Sequence, residues 1–257
     1  MSATTALVLA GSRGPGDPLA VHAGVSHKAM IQIGGLPMLV RVVNALAAAG
    51  FDRIGVAIER PELVEQLSAQ GAFPPGARVE ALPTGAGPSR SVALALERLG
   101  TPLLVTTADH ALLKPEWVRY FVDHVPPTAA VAAALARSEV VMAAAPSTKR
   151  TFLRFSDGAF SGCNLFYFSG PGAGRIVALW EEVEAQRKHP VKLIRRLGIG
   201  AAAAYAAGLL SLGAAVRRLS RLAGAEAAIV DMPFGEAAID VDKPADLALV
   251  RAMLEVG

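Results

Sequence analysis

Through the first half of the chain, short apolar runs alternate with longer stretches whose apolar positions recur at every third or fourth residue. Residues 6–10 read as a strand, and residues 36–49 as a helix with Leu39, Val42, Val43 and Leu46 on one face. A strand over 53–58, a helix over 61–70 with Pro61 in its first turn, a short strand near Val79 and a helix over 88–99 continue the alternation. A further strand over 102–107 leads to a helix over 115–124 that turns Trp117, Tyr120 and Phe121 inward. Strand and helix in strict alternation predict a parallel sheet with helices on both faces.

After Pro126 the pattern changes. Extended runs at 129–135, 140–144, 151–155 and 163–168, separated by turn residues such as Ser156-Asp157-Gly158, predict mixed or antiparallel pairing. Helical stretches at 172–187, 190–206 and 212–222 precede strands at 228–232 and 238–241 and a closing helix at 244–254. No repeat or linker interrupts this order, so residues 1–257 read as one α/β domain with a mixed, mostly parallel twisted sheet.

Composition narrows the class. The 257 residues are 53% apolar, enough for a large core. Lys and Arg number 25 against 22 Asp and Glu, a net charge of +3, and this surplus is too thin to imply a nucleic-acid partner. The single cysteine, Cys163, excludes an internal disulfide and a cysteine-rich metal site; with no base beside it in sequence, it reads as a small core residue. The opening apolar run stops at Gly11, too soon for a secretory signal, and a cytoplasmic location is expected. A mean hydropathy of +0.41 draws attention to residues 198–216, which carry no charge and lie between Arg195, Arg196 and Arg217, Arg218.

Candidate chemistry gathers where strands end. Leu9-Ala10-Gly11-Ser12-Arg13-Gly14-Pro15-Gly16 is a glycine-rich turn whose backbone amides can face an anion, although it follows neither the Walker nor the Gly-x-Gly-x-x-Gly spacing. Lys28 follows in Ser26-His27-Lys28-Ala29-Met30, ahead of Gly34-Gly35-Leu36-Pro37-Met38-Leu39. A second turn, Leu82-Pro83-Thr84-Gly85-Ala86-Gly87-Pro88-Ser89-Arg90-Ser91, leads into a helix that Ser89 or Ser91 is placed to cap. Asp109 stands at the carboxyl end of its strand, where ligands sit in such sheets. Alternation in Ile239-Asp240-Val241-Asp242 puts both aspartates on one side and the two apolar residues toward the core.

Together these motifs resemble the nucleotidyltransferases of the molybdenum-cofactor guanylyltransferase-like superfamily, which also holds sugar-phosphate and alditol-phosphate cytidylyl- and uridylyltransferases. The likeness is carried by the Leu-Ala-Gly strand end, the arginine after it, Lys28-Ala29-Met30, the Gly34-Gly35-Leu36-Pro37-Met38-Leu39 run and the closing Asp240-Val241-Asp242-Lys243-Pro244-Ala245-Asp246-Leu247. A single Gly11 stands where Gly-Gly is common, and residues 14–25 replace a shorter link. The resemblance implies a Rossmann-like, GT-A-like nucleotidyltransferase domain with a nucleotide-binding half (1–125), an acceptor-binding half (126–257) and a helical insertion at about 190–224. It implies Mg²⁺-dependent transfer of a nucleoside monophosphate from a triphosphate to a phosphorylated small molecule, releasing pyrophosphate. Leu9, Ala10, Gly11, Ser12, Arg13 and Lys28 then hold the triphosphate, with Arg13 and Lys28 as the catalytic cations facing charge that develops on phosphate oxygens. Thr84, Gly85 and Ser89 meet base and ribose, Asp109 and Asp242 hold Mg²⁺, and Asn164 faces the acceptor. CTP or GTP is the expected donor. The alternatives are a catalytically silent nucleotide-binding or scaffolding protein of this fold and a nucleotide-sugar glycosyltransferase.

The same reading disposes of a membrane span. If Lys28, Asp109 and Asp242 share one site, a crossing by residues 198–216 would strand Asp242 on the wrong side of the bilayer. Ala207-Gly208 instead ends one helix and Ser211 caps the next, whose stripe of Leu212, Ala215, Val216, Leu219 and Leu222 lies opposite Arg217, Arg218 and Arg221. This pair packs within the protein, or docks on an anionic membrane or a homodimer partner with Arg187, Lys188, Lys192, Arg195 and Arg196 nearby. Its expected place is the acceptor side of the cleft.

Overall fold

A computed structural model of the chain describes residues 5–12, 14, 16–186 and 198–256. Its centre is an eight-stranded sheet. Strands β1 (Thr5–Leu9), β4 (Arg53–Ala57), β5 (Arg78–Leu82) and β6 (Leu103–Thr107) run parallel in the spatial order β6-β1-β4-β5. The long β9 (Gly158–Phe168) pairs antiparallel with β6 and with β7 (Val131–Arg137), while β10 (Ala227–Asp231) lies parallel to β7 at the far edge and β8 (Leu153–Phe155) hangs on β9. The fold is thus a mixed, mostly parallel α/β sheet.

Alternation along the strands divides the core in two. Ala6 and Val8 of β1 and Leu104 of β6 face one cluster, which takes the apolar sides of α2 (Met38–Ala49), α3 (Pro61–Ala69) and α5 (Pro115–Asp123). Leu7, Leu103 and Val105 face the other, built on α4 (Pro88–Leu99) and α7 (Ala173–Ala185). Trp117 and Phe121 are buried as their spacing predicts, whereas Tyr120 is half-buried and stacks on His124.

Four elements differ from the sequence reading. Residues 140–144, expected to be extended, belong to helix α6 (Ser138–Ala144); only Val141 is buried, and the Met and Ala residues around it favour a helix wherever no neighbouring strand offers a ladder. Residues 238–241 form no strand: a 3-10 turn over Gly235–Ala238 runs into an extended segment held by the Val241 N–H donating to the Asp109 carbonyl at 3.0 Å. Helix α1 (Pro18–His22) occupies the long link after Gly11, its first turn capped by the Asp17 carboxylate, which accepts from the Leu19 and Ala20 amides at 3.0 and 3.1 Å. Leu36 and Pro37 precede helix α2 as β3 (Leu36–Pro37), paired with β2 (Gln32–Ile33).

Toward the C-terminus come α8 (Ile199–Ala206), α9 (Leu212–Ala223) and α10 (Pro244–Val256). Ser211 caps α9 by accepting from the Ala214 amide at 3.2 Å, and α9 lies against β10 and α7 with its apolar stripe half-buried. The first part of the helix expected over 190–206 and the basic residues Arg187, Lys188, Lys192, Arg195 and Arg196 lie outside the described residues. Among the described residues no helix is long and apolar enough to cross a membrane.

Candidate active site

Lys28 opens a 3-10 turn (Lys28–Met30) that leads directly into the β2–β3 hairpin and packs against α2. Two central residues with positive φ are what a two-residue hairpin of this twist demands, and Gly34 and Gly35 supply them at +58° and +79°. The Gly-Gly pair of the motif therefore shapes the loop that carries the lysine. From this turn the Lys28 ammonium reaches Asp109 Oδ2 and Asp242 Oδ1, both at 2.7 Å.

The two carboxylates arrive from distant parts of the chain, 81 and 214 residues beyond Lys28. Asp109 follows β6, and the Val241 amide bonded to its carbonyl sets the closing segment beside it. Asp246 then accepts from the Asp242 and Lys243 amides at 3.1 and 2.9 Å, which fixes the Asp242 backbone at the start of α10. Burial alone would lower the Lys28 pKa, but the Asp109 charge and the bonds to both carboxylates outweigh it and hold the amine above its ordinary value. Burial pushes the Asp109 carboxyl up, with Lys28 acting against that shift. Asp109 Oδ1 is buried and has no hydrogen-bond partner.

A third carboxylate organises the turn after β1. Glu59, just beyond β4, accepts from the Ser12 amide at 3.1 and 3.3 Å and from the Ser12 hydroxyl at 2.5 Å. It also meets His27 Nε2 at 3.1 Å. Because His27 Nδ1 accepts from the Ala29 amide at 3.1 Å, the ring proton sits on Nε2 and is donated to Glu59. Burial disfavours the Glu59 charge, but the Ser12 bonds and His27 prevail and hold its carboxyl below the usual range. One side chain thus ties the glycine turn to the residue next to Lys28. Sequence reasoning missed both Glu59 and His27; the available signal was an acidic residue at the end of the strand that neighbours β1.

The second turn is built differently from its sequence reading. Neither serine caps α4, whose N-cap is Gly87 with no side-chain bond of its own. Ser91 Oγ accepts from the Gly85 amide at 2.9 Å and donates to the Gly87 carbonyl at 3.0 Å, bracing the turn. The Ser89 amide donates to Glu184 Oε2 at 3.0 Å and the Ser89 hydroxyl bonds the same oxygen, so a carboxylate from α7 serves the helix end. Pro88 begins the helix two positions earlier than a Ser89 cap requires. Glu184, one acidic residue among several on its helix, gave no signal in the sequence.

These parts wall a cavity of about 640 Å³ lined by Leu9, Gly11, Ser12, Thr84, Gly85, Asp109 and Glu184 among others. Its neighbour, about 290 Å³, is lined by Asn164, Asp240, Asp242, Arg150, Lys149 and Lys243. Asn164 lies where β9 shifts register against β7, between Gly162 and Phe166, two residues beyond the last β6–β9 pair of Val105 with Phe166. Asn164 has a φ of +49° and donates from Nδ2 to Asp240 Oδ2 at 2.9 Å, while Arg150 pairs with Asp240 Oδ1. Burial works against the Asp240 charge, but Arg150 and Asn164 hold its carboxyl below the usual range.

Of the residues singled out by sequence, the structure gathers Leu9, Gly11, Ser12, Lys28, Thr84, Gly85, Asp109 and Asp242 around the larger cavity or its lysine bridge. Ala10 is buried, with its amide donating to the Ala57 carbonyl. Ser89 is buried behind the turn, and Asn164 faces the smaller cavity. Arg13 lies outside the described residues. In the described part of the insertion, α9 borders a separate groove of about 300 Å³ lined by Leu135, Arg137, Phe160, Val216 and Asp231.

The family description MobA-like NTP transferase domain matches residues 6–221. A hypothetical transferase from Thermus thermophilus is 32% identical, covers 95% of this chain and 98% of its own, and superimposes with a TM-score of 0.81. Two more distant structures share the fold. A 4-diphosphocytidyl-2C-methyl-D-erythritol synthase from Anaerococcus prevotii is 11% identical over 98% of this chain and 97% of its own, with a TM-score of 0.59. A CMP:2-keto-3-deoxy-manno-octonic acid synthetase complexed with CTP is 14% identical over the same shares, with a TM-score of 0.58. No protein of curated function matches the chain.

Proposed function

Because this chain belongs to the family of MobA-like NTP transferase domains, and is thereby a nucleotidyltransferase, we propose that it moves a nucleoside monophosphate from a nucleoside triphosphate onto a phosphorylated small molecule and releases pyrophosphate. One observation carries the reading: Lys28, Asp109 and Asp242, far apart in sequence, meet within 2.7 Å contacts beside a cavity of nucleotide size.

The residues present fit Mg²⁺. Asp109 Oδ1 is a buried carboxylate oxygen with no partner, and Asp242 offers a second hard oxygen ligand close enough to share one cation. When bound by these two residues, Mg²⁺ supplies positive charge to the triphosphate oxygens. The chain's own residues do the rest. Lys28 brings fixed positive charge to the transferring phosphorus, and Arg13 contributes a second from the glycine turn. Gly11 lets the nucleotide lie close to the end of β1, with Thr84 and Gly85 across the cavity.

The acceptor belongs in the smaller cavity, which shares Asp242 with the metal pair and where Asn164 meets the acceptor. An oxygen of the acceptor phosphate forms a bond to the α-phosphorus while the bond to the bridging oxygen breaks, and pyrophosphate leaves with that electron pair. A phosphate oxygen is already ionised near neutral pH, so this step needs no general base. Buried His110 fits that economy, since it faces neither cavity.

A thermal-shift panel of the four nucleoside triphosphates with and without Mg²⁺, followed by pyrophosphate release with sugar and alditol phosphates, tests this. We expect release in Mg²⁺ and none after chelation. Triphosphate binding without release across the acceptor panel would overturn the transfer reading.

A further inference from the structure

We propose that Glu184 reads the base of the bound nucleotide, accepting a hydrogen bond from an amino group that guanine and cytosine carry and that hypoxanthine and uracil lack. The inference rests on the nucleotidyltransferase reading and deepens it.

Glu184 projects from α7, on the acceptor half of the chain, into the wall of the larger cavity beside Gly85, Ala86 and Gly87. Its Oε2 is spent on the Ser89 amide and hydroxyl. Among the described residues its Oε1 has no hydrogen-bond partner and no cation pairs with the carboxylate. This oxygen lies against the backbone of Gly87, where any Cβ would collide with it, so the glycine is what admits the carboxylate to the turn.

Ligand chemistry then selects what the free oxygen can face. A triphosphate has only acceptor oxygens and negative charge, and it repels a carboxylate. The phosphate end is moreover fixed at Lys28 and Asp109, leaving the nucleoside for the Gly85–Ser91 turn. Only the base and the ribose hydroxyls of a nucleotide donate hydrogen bonds. Glu59, the other glutamate of the cavity, is occupied by Ser12 and His27, and Asp109 lies at the phosphate end, which leaves Glu184 as the carboxylate open to the nucleoside. Between base and ribose the turn favours the base. Ser91 and the Gly87 carbonyl already brace the backbone beside Glu184, so its carboxylate is held rigidly, as reading a planar base edge requires.

The test compares GTP with ITP, which differ by one amino group, and CTP with UTP, in which a carbonyl oxygen and an N3–H replace the amino group and the bare ring nitrogen. Titration calorimetry with wild-type protein would measure GTP against ITP and CTP against UTP, then repeat the pairs with Glu184→Gln. The glutamine keeps a carbonyl for Ser89 and turns the free position from acceptor to donor. We expect the preferred amino-bearing triphosphate to bind about tenfold tighter than its counterpart, and Glu184→Gln to erase that gap. Equal binding within both pairs by the wild type overturns the proposal without any variant. So does a gap that survives Glu184→Gln, or a loss in that variant which follows removal of the 2′-hydroxyl and not of the amino group. Failure of every triphosphate to bind the wild type would instead fell the nucleotidyltransferase reading on which the proposal stands.

Discussion

At the scale of single residues, the site is a set of charges held in place by other charges. Lys28 bridges Asp109 and Asp242, and its removal leaves two carboxylates facing each other without a cation. Lys28→Met should lower kcat by about 10²–10³-fold while the protein stays folded, the usual cost of losing a donor aimed at developing charge. Asp109→Asn and Asp242→Asn should each abolish Mg²⁺-stimulated pyrophosphate release in the same assay, and full turnover in both would show that the metal lies elsewhere. Glu59 acts through others. In Glu59→Leu the oxygen that accepts from both Ser12 and His27 is gone, so the glycine turn loosens from the Lys28 turn. Steady-state kinetics should then show KM for the triphosphate rising about tenfold with kcat less affected, and Glu59→Asp restoring part of it. A purely structural role would lower stability and leave that split unmoved.

At the scale of elements, two short devices decide where catalytic side chains point. The β2–β3 hairpin places Lys28, and it depends on positive φ at Gly34 and Gly35. Gly35→Val should strain the turn, costing on the order of 1–2 kcal/mol of stability and more of activity than of fold. Thermal melts beside kcat/KM would separate the two effects. Beneath the site, α5 anchors the sheet through Trp117 and Phe121, both essentially buried. Phe121→Ala should cost about 3–5 kcal/mol in denaturant unfolding, as a large buried ring removed from a packed core does. Burial also pushes the Cys163 thiol up to about 12, which leaves it protonated and unreactive in the folded protein.

Across the whole molecule, burial of one imidazole links stability to pH. His110 is fully buried and its pKa is lowered from 6.5 to about 4, with burial the main cause. The unfolded chain takes up a proton in that window and the folded protein does not. Stability is therefore complete above pH 6.5 and declines as the pH falls from 6.5 toward 4, by on the order of 3 kcal/mol. In His110→Gln, unfolding curves across that range should lose most of this slope. The insertion is a separate matter of architecture. α9 lies against the edge strand β10 and α7, and none of its residues lines either cavity. Replacing residues 199–222 by a short linker should therefore spare triphosphate binding, and its loss in a folded variant would place the insertion nearer the nucleotide than the structure does.

Periodicity alone determined most of this architecture. The alternation of strands and helices through residue 124, the helix over 88–99 and the cap at Ser211 are legible because each depends on local spacing and turn chemistry. The same holds for the candidate residues Lys28, Asp109 and Asp242, each marked by a motif at a strand end or turn. What the sequence could not supply was anything resting on contact between distant segments. Residues 140–144 and 238–241 are apolar runs that could extend, but a strand exists only where a neighbour completes its ladder, and none does. Glu59 and Glu184 are ordinary acidic residues until the β1–β4 pairing and the α4–α7 packing bring them to Ser12 and Ser89. Their roles come from which backbone amides they meet, and that is fixed by the closing of the sheet and the packing of helices on its faces.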